Sequence, residues 1–434
     1  MKWEQLLNNQ RFMRTETLGD AGEGRTEFEG DYDRILFSHS FRRLHDKTQV
    51  FPMPKNDHVH TRLTHSLEVA SVGRSLGRAC GDMLKDCTGL GDYSGAAFGS
   101  IVAAACLAHD IGNPPFGHAG EDAIKMWFKE DPLKLEVRNK RKFGDFLNFE
   151  GNAQGFRIVA QLENHPNQGG LQLTFATLGA FLKYPQDSRN VGKGEARKEA
   201  SRKKHGANVL ESESLGIVCE TLGLGRHADA EFAWKRHPLA FLTEAADDIC
   251  NGILDIEDGV RLKHVPVELA SSLLQQVIHG PEFKPSSHEL PIEKLRAQAI
   301  NALIKEVKTV FLKNEVALLS GDFEQPLVKE IKAGVVLKSI GGVNKKYCYD
   351  HSTVLEKEIA GFEVIYKLLS LFVAARLSLK INEKLEEKVD KLLPASSAAT
   401  VEGKIAEVVD FVSGMTDHYA VELYRTVVGL SLPA

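Results

Sequence analysis

An apolar period of 3.6 residues runs through most of the long segments of this chain, and no other feature restricts the fold as tightly. It is visible over Thr64 to Leu84, Gly99 to His109, Gly155 to Leu162, Leu239 to Leu262, Ile292 to Leu319, Val354 to Lys384 and Val401 to Val428. That spacing lays one apolar stripe along a helix, whereas a half-buried strand alternates every second residue. The predicted fold class is therefore all-α, a helical bundle with an additional C-terminal helical lobe. Thr48 to Phe51 and Gly334 to Leu337 are β-branched or aromatic and are predicted to make at most a small hairpin. With 434 residues, 43% of them hydrophobic, the chain can bury a large core. The Pro-, Ser- and His-rich stretch Gly280 to Pro291 reads as a linker between a first lobe, 1–280, and a second, 292–434.

Charge narrows the possible ligands. A formal net charge of -5 and a pI near 6.4 argue against a dedicated nucleic-acid or membrane-surface binder, so any anion must be held locally. The basic run Gln186 to Asn208 is the exception, with Arg189, Lys193, Arg197, Lys198, Arg202, Lys203 and Lys204 against three acids. It reads first as a solvated loop or frayed helix. The functional alternative is a phosphate-attracting flap or a contact for single-stranded DNA. The six cysteines, Cys80, Cys87, Cys106, Cys219, Cys250 and Cys348, form no CxxC pair and read as reduced core residues. The opening residues carry charges throughout and no uncharged apolar run reaches 18 residues, so no membrane partner is expected and a cytoplasmic enzyme is the simplest placement.

The strongest local signal lies between Leu107 and His118. An apolar helix runs into His109-Asp110, and Gly112-Asn113-Pro114-Pro115 then forbids its continuation. Two neighbouring ligating side chains at a buried helix end can converge on one cation, although a His-Asp pair alone is more often a cap or a satisfied core histidine. Upstream, Arg62 precedes the first turn of a helix carrying His65. Downstream, Glu244, Asp247 and Asp248 sit inside an apolar helix, and spacing four puts Asp247, Asn251 and Asp255 on one face. Buried carboxylates need a cation or a hydrogen-bond partner. His118 and Glu121 lie three apart at another helix start, so one can orient the other. Two imidazoles and two carboxylates make a mixed nitrogen and oxygen donor set. It suits Mn2+ or Mg2+, with Fe, Ni or Co as alternatives, better than a closed thiolate zinc site.

His65, His109-Asp110 and a later Asp resemble the ordered pattern of the HD-domain phosphohydrolases. Phe41 to Leu44, Lys47 to Pro52, Thr61 to Ala70, His109 to Glu121, Phe149 to Gln154, Lys183 to Pro185 and Glu244 to Asp258 are similar to the bacterial deoxyguanosinetriphosphate triphosphohydrolase family, as is His418 to Tyr424. The resemblance implies one divalent metal ion held by His65, His109, Asp110 and Asp247, within a metal core at about 60–262. The first Asp of Ala-Ala-Asp-Asp is the family's ligand, a choice over Asp248 that spacing alone does not make. It further implies His118 as the proton-transfer residue and Glu121 as its orienter. Arg62 and Lys183 would clamp the triphosphate, Tyr184 and Asp255 would meet the nucleoside or sugar, and Gln49 the 3′-hydroxyl. The implied reaction is water attack at the α-phosphorus of a deoxynucleoside triphosphate (dNTP), releasing deoxynucleoside and tripolyphosphate. A homo-oligomer is implied too, with the C-terminal lobe completing the site or the oligomer interface.

One residue departs from the pattern. Asn251 stands where the family carries a tyrosine against the sugar, which puts preference for guanine and for deoxyribose in doubt and favours broad dNTP use. The competing readings are another HD phosphohydrolase, acting on nucleoside monophosphates or cyclic nucleotides, and a non-catalytic nucleotide sensor or nucleic-acid-binding module.

Overall fold

The computed structural model describes residues 1–434 apart from 15–23, 54–55, 57, 89–94, 134, 136–139, 164–168, 192–198, 285–289, 381 and 431–434. Helices α1 (Trp3–Leu6), α2 (Glu27–Leu36) and α3 (His39–Arg43) lead into the long pair α4 (Arg62–Thr88) and α5 (Gly95–Ala108). Next come α6 (His118–Glu130), α7 (Lys140–Leu147) and α8 (Gly151–Arg157), the last running on as a π-turn over Ile158–Leu162. Helices α9 (Phe175–Phe181), α10 (Ser212–Thr221), α11 (Pro238–Arg261) and α12 (Val267–His279) follow. The remaining helices are α13 (Ile292–Lys313), α14 (Glu315–Ser320), α15 (Gly334–Asn344), α16 (Ser352–Leu377), α17 (Glu383–Asp390), α18 (Val401–Ser413) and α19 (Asp417–Val427).

The fold is all-α: among the described residues β pairing is confined to isolated bridges. Neither stretch makes the small hairpin that the sequence allowed at most. Thr48 makes a single bridge to Thr61, and Gly334 to Leu337 open α15, where Val336 and Ile340 are buried at helical spacing. β-Branched side chains yield here to the burial of one helical face against α11 and α12.

Helix α5 is apolar apart from Ser100, and from Ile101 to Ala108 it is buried on every side. It packs antiparallel on α4 at unusually short range because α4 offers glycines at spacing four. A Cβ on Gly77 would stand 2.6 Å from the Phe98 carbonyl oxygen, and one on Gly73 would meet the Cys106 side chain. Helix α11 crosses both, starting with Pro238 in its first turn and a His237 side chain that accepts from the Leu239 N–H. The three helices thereby bring the His65, His109 and Asp247 positions to one place.

The buried apolar residues form two clusters. The larger contains α4, α5, α9 and α11 and extends through α13 and α15, so packing of α13 on α4, α11 and α12 carries this core past the 280–291 stretch. The smaller joins α6 and α7 to α16, α18 and α19. The five cysteines with described side chains are free and buried, as expected, and Cys87 lies outside that set. Among the described residues no helix is long and apolar enough to cross a membrane.

Candidate active site

A cavity of about 510 Å³ opens where the two clusters meet, and eleven of the twelve sequence-predicted site residues line it. They are Gln49, Arg62, His109, Asp110, His118, Glu121, Lys183, Tyr184, Asp247, Asn251 and Asp255. The twelfth, His65, lies beneath the floor at 1% exposure and reaches Asp247 Oδ1 from its Nε2 at 3.2 Å.

His109 is fixed from behind. Its Nδ1 donates to the Cys106 carbonyl at 2.6 Å, which leaves Nε2 as the atom facing the cavity. That buried Nε2 makes no hydrogen bond, yet stands 3.4 Å from Asp247 Oδ1 and 3.5 Å from Asp110 Oδ1. Burial opposes a charge on His109, but Asp110 and Asp247 overcome it and push its pKa up to about 9. Asp247, buried against the same imidazoles and near Lys183, is held well below the usual carboxylate range despite that burial. His65, His109 and Asp247 offer three donor atoms within 4.8 Å of one another. The orphaned His109 nitrogen, standing between the Asp247 and Asp110 carboxylates, fits a small divalent cation of the kind nitrogen and oxygen donors take.

Asp110 borders this trio and is otherwise engaged. Its Oδ2 accepts from Arg62 Nη1 and its Oδ1 from Asn113 Nδ2, both at 2.5 Å. Despite burial, Arg62 and the two histidines hold its pKa down to about 2. Arg62 also reaches Gln49 Oε1 at 3.3 Å, Gln49 Nε2 donates to Asn251 Oδ1 at 3.1 Å, and Asn251 Nδ2 donates to Asp247 Oδ1 at 2.7 Å. A polar ring therefore closes around the trio. Asn251, the departure noted in the sequence, is the link between a cavity-wall glutamine and the Asp247 carboxylate.

His118 is 84% exposed at its side chain and sits at the cavity mouth, with Nδ1 3.4 Å from Glu121 Oε2. Glu121 is buried, and its other oxygen accepts from the Gly151 N–H at 2.8 Å. The hydrogen bond to Glu121 raises the His118 pKa. On the opposite wall Lys183 and Arg236 share Glu244, at 3.5 Å and 2.6 Å, with the Tyr184 ring between them. Deeper in, burial pushes Asp255 up to about 7 while its carboxylate accepts from the Tyr349 hydroxyl. Burial likewise pushes Asp248 up to about 7.

The whole length of the chain aligns with curated proteins of this type. It is 43% identical over 442 residues, covering all of both chains, to the deoxyguanosinetriphosphate triphosphohydrolase-like protein of Synechocystis sp.. It is 37% identical over 457 residues, again with full coverage of both, to the protein so described from Pseudomonas aeruginosa. To the deoxyguanosinetriphosphate triphosphohydrolase of Enterobacter sp. it is 32% identical, over 92% of this chain and 93% of that one. The chain belongs to the deoxyguanosinetriphosphate triphosphohydrolase family. Residues 62–167 match the HD domain and residues 335–426 the phosphohydrolase-associated domain. As a member of this family the protein is a phosphohydrolase of the metal-dependent HD type, and the match at 62–167 contains His65, His109, Asp110, His118 and Glu121.

Several cavity residues were not singled out from the sequence. Asn113, which holds Asp110, was read only as part of the turn that ends the helix before it. Glu150, paired with Lys204 at 3.0 Å, lies in the family-like Phe149 to Gln154 stretch. Lys204 belongs to the basic run Gln186 to Asn208, whose described part is not the solvated loop first expected: Gln186, Asp187, Arg202 and His205 are buried, and Lys204 lines the cavity. Lys193, Arg197 and Lys198 lie outside the described residues. Tyr349 comes from the π-turn after α15 and carried no signal in the sequence.

Proposed function

We propose that this phosphohydrolase cleaves dNTPs to deoxynucleoside and tripolyphosphate, and that His65, His109, Asp110 and Asp247 hold one divalent cation, Mn2+ or Mg2+, for that purpose. The observation that carries the proposal is the buried, unpartnered His109 Nε2 pointing between two carboxylates at the floor of a nucleotide-sized cavity. Names carried by the relatives favour the same substrate class: the Enterobacter and Klebsiella pneumoniae proteins are deoxyguanosinetriphosphate triphosphohydrolases.

The lining holds eight carboxylates against three lysine and arginine side chains, so a triphosphate would meet net repulsion unless charge were supplied. A divalent cation, when bound, offsets the phosphate charge and favours deprotonation of the attacking water. The side chains do the rest. Arg62, which lines the cavity beside Asp110, would hold phosphate oxygens with its guanidinium. Lys183, kept protonated by Glu244 although burial opposes it, supplies a second positive charge on the far wall. Lys204 supplies a third beside Glu121 and Glu150. Water attack at the α-phosphorus breaks the bond to the 5′-oxygen. His118, whose protonated form Glu121 stabilises, delivers the proton that the leaving 5′-oxygen needs. Gln49, Tyr184 and Asp255 are left for the sugar and base.

The test is to incubate metal-replete protein separately with dGTP, dATP, dCTP, TTP and GTP, and with mixtures that would supply an activating nucleotide, and to resolve the products by ion exchange. The expected products are deoxynucleoside and tripolyphosphate from more than one dNTP. Consumption only of nucleoside monophosphates or cyclic nucleotides would replace this reading with a different HD phosphohydrolase.

A further inference from the structure

A second constellation of metal-ligating side chains lies away from the cavity. Glu199, His227 and Glu324 offer three donor atoms within 4.8 Å of one another, and they come from three separate segments: the turn before Ala200–Arg202, the stretch between α10 and α11, and the stretch after α14. His227 is 7% exposed, and its Nε2 is buried with no hydrogen-bond partner. Glu199 Oε2 is also buried and unpartnered, and stands 3.7 Å from His227 Nδ1. That separation is too long for a hydrogen bond. It is close to the ~3.4 Å that separates two donors on one tetrahedral ion with bonds of about 2.1 Å. The buried Glu199 Oε2 and the unpartnered nitrogen of the buried His227 ring each lack the hydrogen bond that a buried polar atom needs, and a shared ion would satisfy them.

We propose that Glu199, His227 and Glu324 bind a structural divalent transition-metal ion of the Zn2+ type. One imidazole and two carboxylates are donors that zinc accepts, with a fourth position left for water. Burial, with Lys235 and Arg202 nearby, depresses the His227 pKa to about 4. Neither neighbouring cation closes the site. Arg202 is neutralised by Asp229, with Nη1 2.9 Å from each carboxylate oxygen. Lys235 donates to Glu324 Oε1 at 3.0 Å, but its side chain is a quarter exposed and can withdraw into solvent as the ion enters. Glu324 Oε2 already accepts from the Ser201 hydroxyl at 2.9 Å, which anchors the 199–202 turn to it.

The site has a consequence for the cavity. The turn that carries Glu199 continues into Lys204, which pairs with Glu150 in the cavity wall. An ion at Glu199, His227 and Glu324 therefore fixes the base of the segment that presents a phosphate-attracting lysine. It does so without touching substrate.

Chelator-stripped protein equilibrated with Zn2+ and analysed by plasma mass spectrometry tests this. His227→Gln and Glu199→Gln are each expected to lower the zinc content by one ion per chain, both in the wild-type background and in Asp247→Asn, with unchanged circular dichroism. Zinc is also expected to slow amide exchange across residues 199–206 in the parent but not in His227→Gln. The Asp247→Asn background reports separately on the His65–His109 site, so failure there leaves the difference between His227→Gln and its parent readable. Equal zinc content in His227→Gln, Glu199→Gln and their parents, including no zinc at all, overturns the proposal.

Discussion

At the scale of single residues, what each side chain faces sets what it can do. Asp110 is shared between Arg62 and the prospective cation, so Asp110→Ala removes a ligand and strands a buried guanidinium at once. Metal content and hydrolysis are expected to vanish together, by more than roughly 100-fold in metal affinity given that even residues behind a ligand cost 10–100-fold. Full activity with metal retained would exclude Asp110 from the site. His118 is different, being paired with Glu121 at the cavity mouth. His118→Ala is expected to keep its metal while turnover falls by about 10²–10⁴; equal rates would reject its role. Because Glu121 raises the His118 pKa, the proton-bearing form persists to higher pH, and kcat should fall only as pH rises through that raised value. Glu121→Gln should move this alkaline limb to lower pH, and an unmoved limb would separate the pair. The resemblance made His65, His109, Asp110 and Asp247 legible as a set, while the residues alone marked His109, Asp110 and Asp247 as polar groups in or at the end of apolar helix. Tyr349 was not legible, because no local pattern marks it and only tertiary packing carries it into the cavity, and Lys204 was visible only as one member of the basic run Gln186 to Asn208.

Helices set how far apart those side chains stand. His65 rides on α4 and His109 at the end of α5, and the glycines of α4 fix the gap between the two. Gly77→Ala would drive a methyl into the Phe98 carbonyl and is expected to cost about 1–3 kcal/mol in urea unfolding, with weaker metal binding alongside. Gly341→Ala in α15 meets nothing within 4 Å and is expected to be neutral or to stabilise by up to about 1 kcal/mol. Similar losses for both would show that helix proximity is not what matters at Gly77. The helices themselves followed from the 3.6-residue period. A hairpin stayed open at Gly334 to Leu337 because four residues are too few to show whether Val335 and Val336 alternate or spiral. Ile340, one turn on from Val336, is what decides it.

Across the whole molecule the two clusters meet through a few buried polar contacts, and the most concentrated is at the start of α19. Asp417 accepts from the Thr48 N–H, the Thr48 hydroxyl and the Phe116 N–H, bracing both segments that flank the cavity. Lys47, its pKa brought down to about 7 by burial, donates to the Asn113 and Ser413 carbonyls across the same seam. Asp417→Ala leaves buried donors unpaired at about 1–3 kcal/mol each. Loss of turnover approaching about 100-fold is expected from misplacing Gln49 and His118, with metal content intact. A variant as active as the wild type would mean that the C-terminal helices only cover the site. This coupling had little trace in the sequence beyond the family-like His418 to Tyr424 stretch, since residues some 370 apart meet only in the fold. The most direct measurement of the central claim is turnover of a dNTP by metal-loaded protein in ¹⁸O-water, with the products weighed by mass spectrometry. Attack at the α-phosphorus should place the label in tripolyphosphate and leave the deoxynucleoside unlabelled, and both label and activity should disappear on chelation. Label in a nucleoside monophosphate, or in the deoxynucleoside itself, would contradict it.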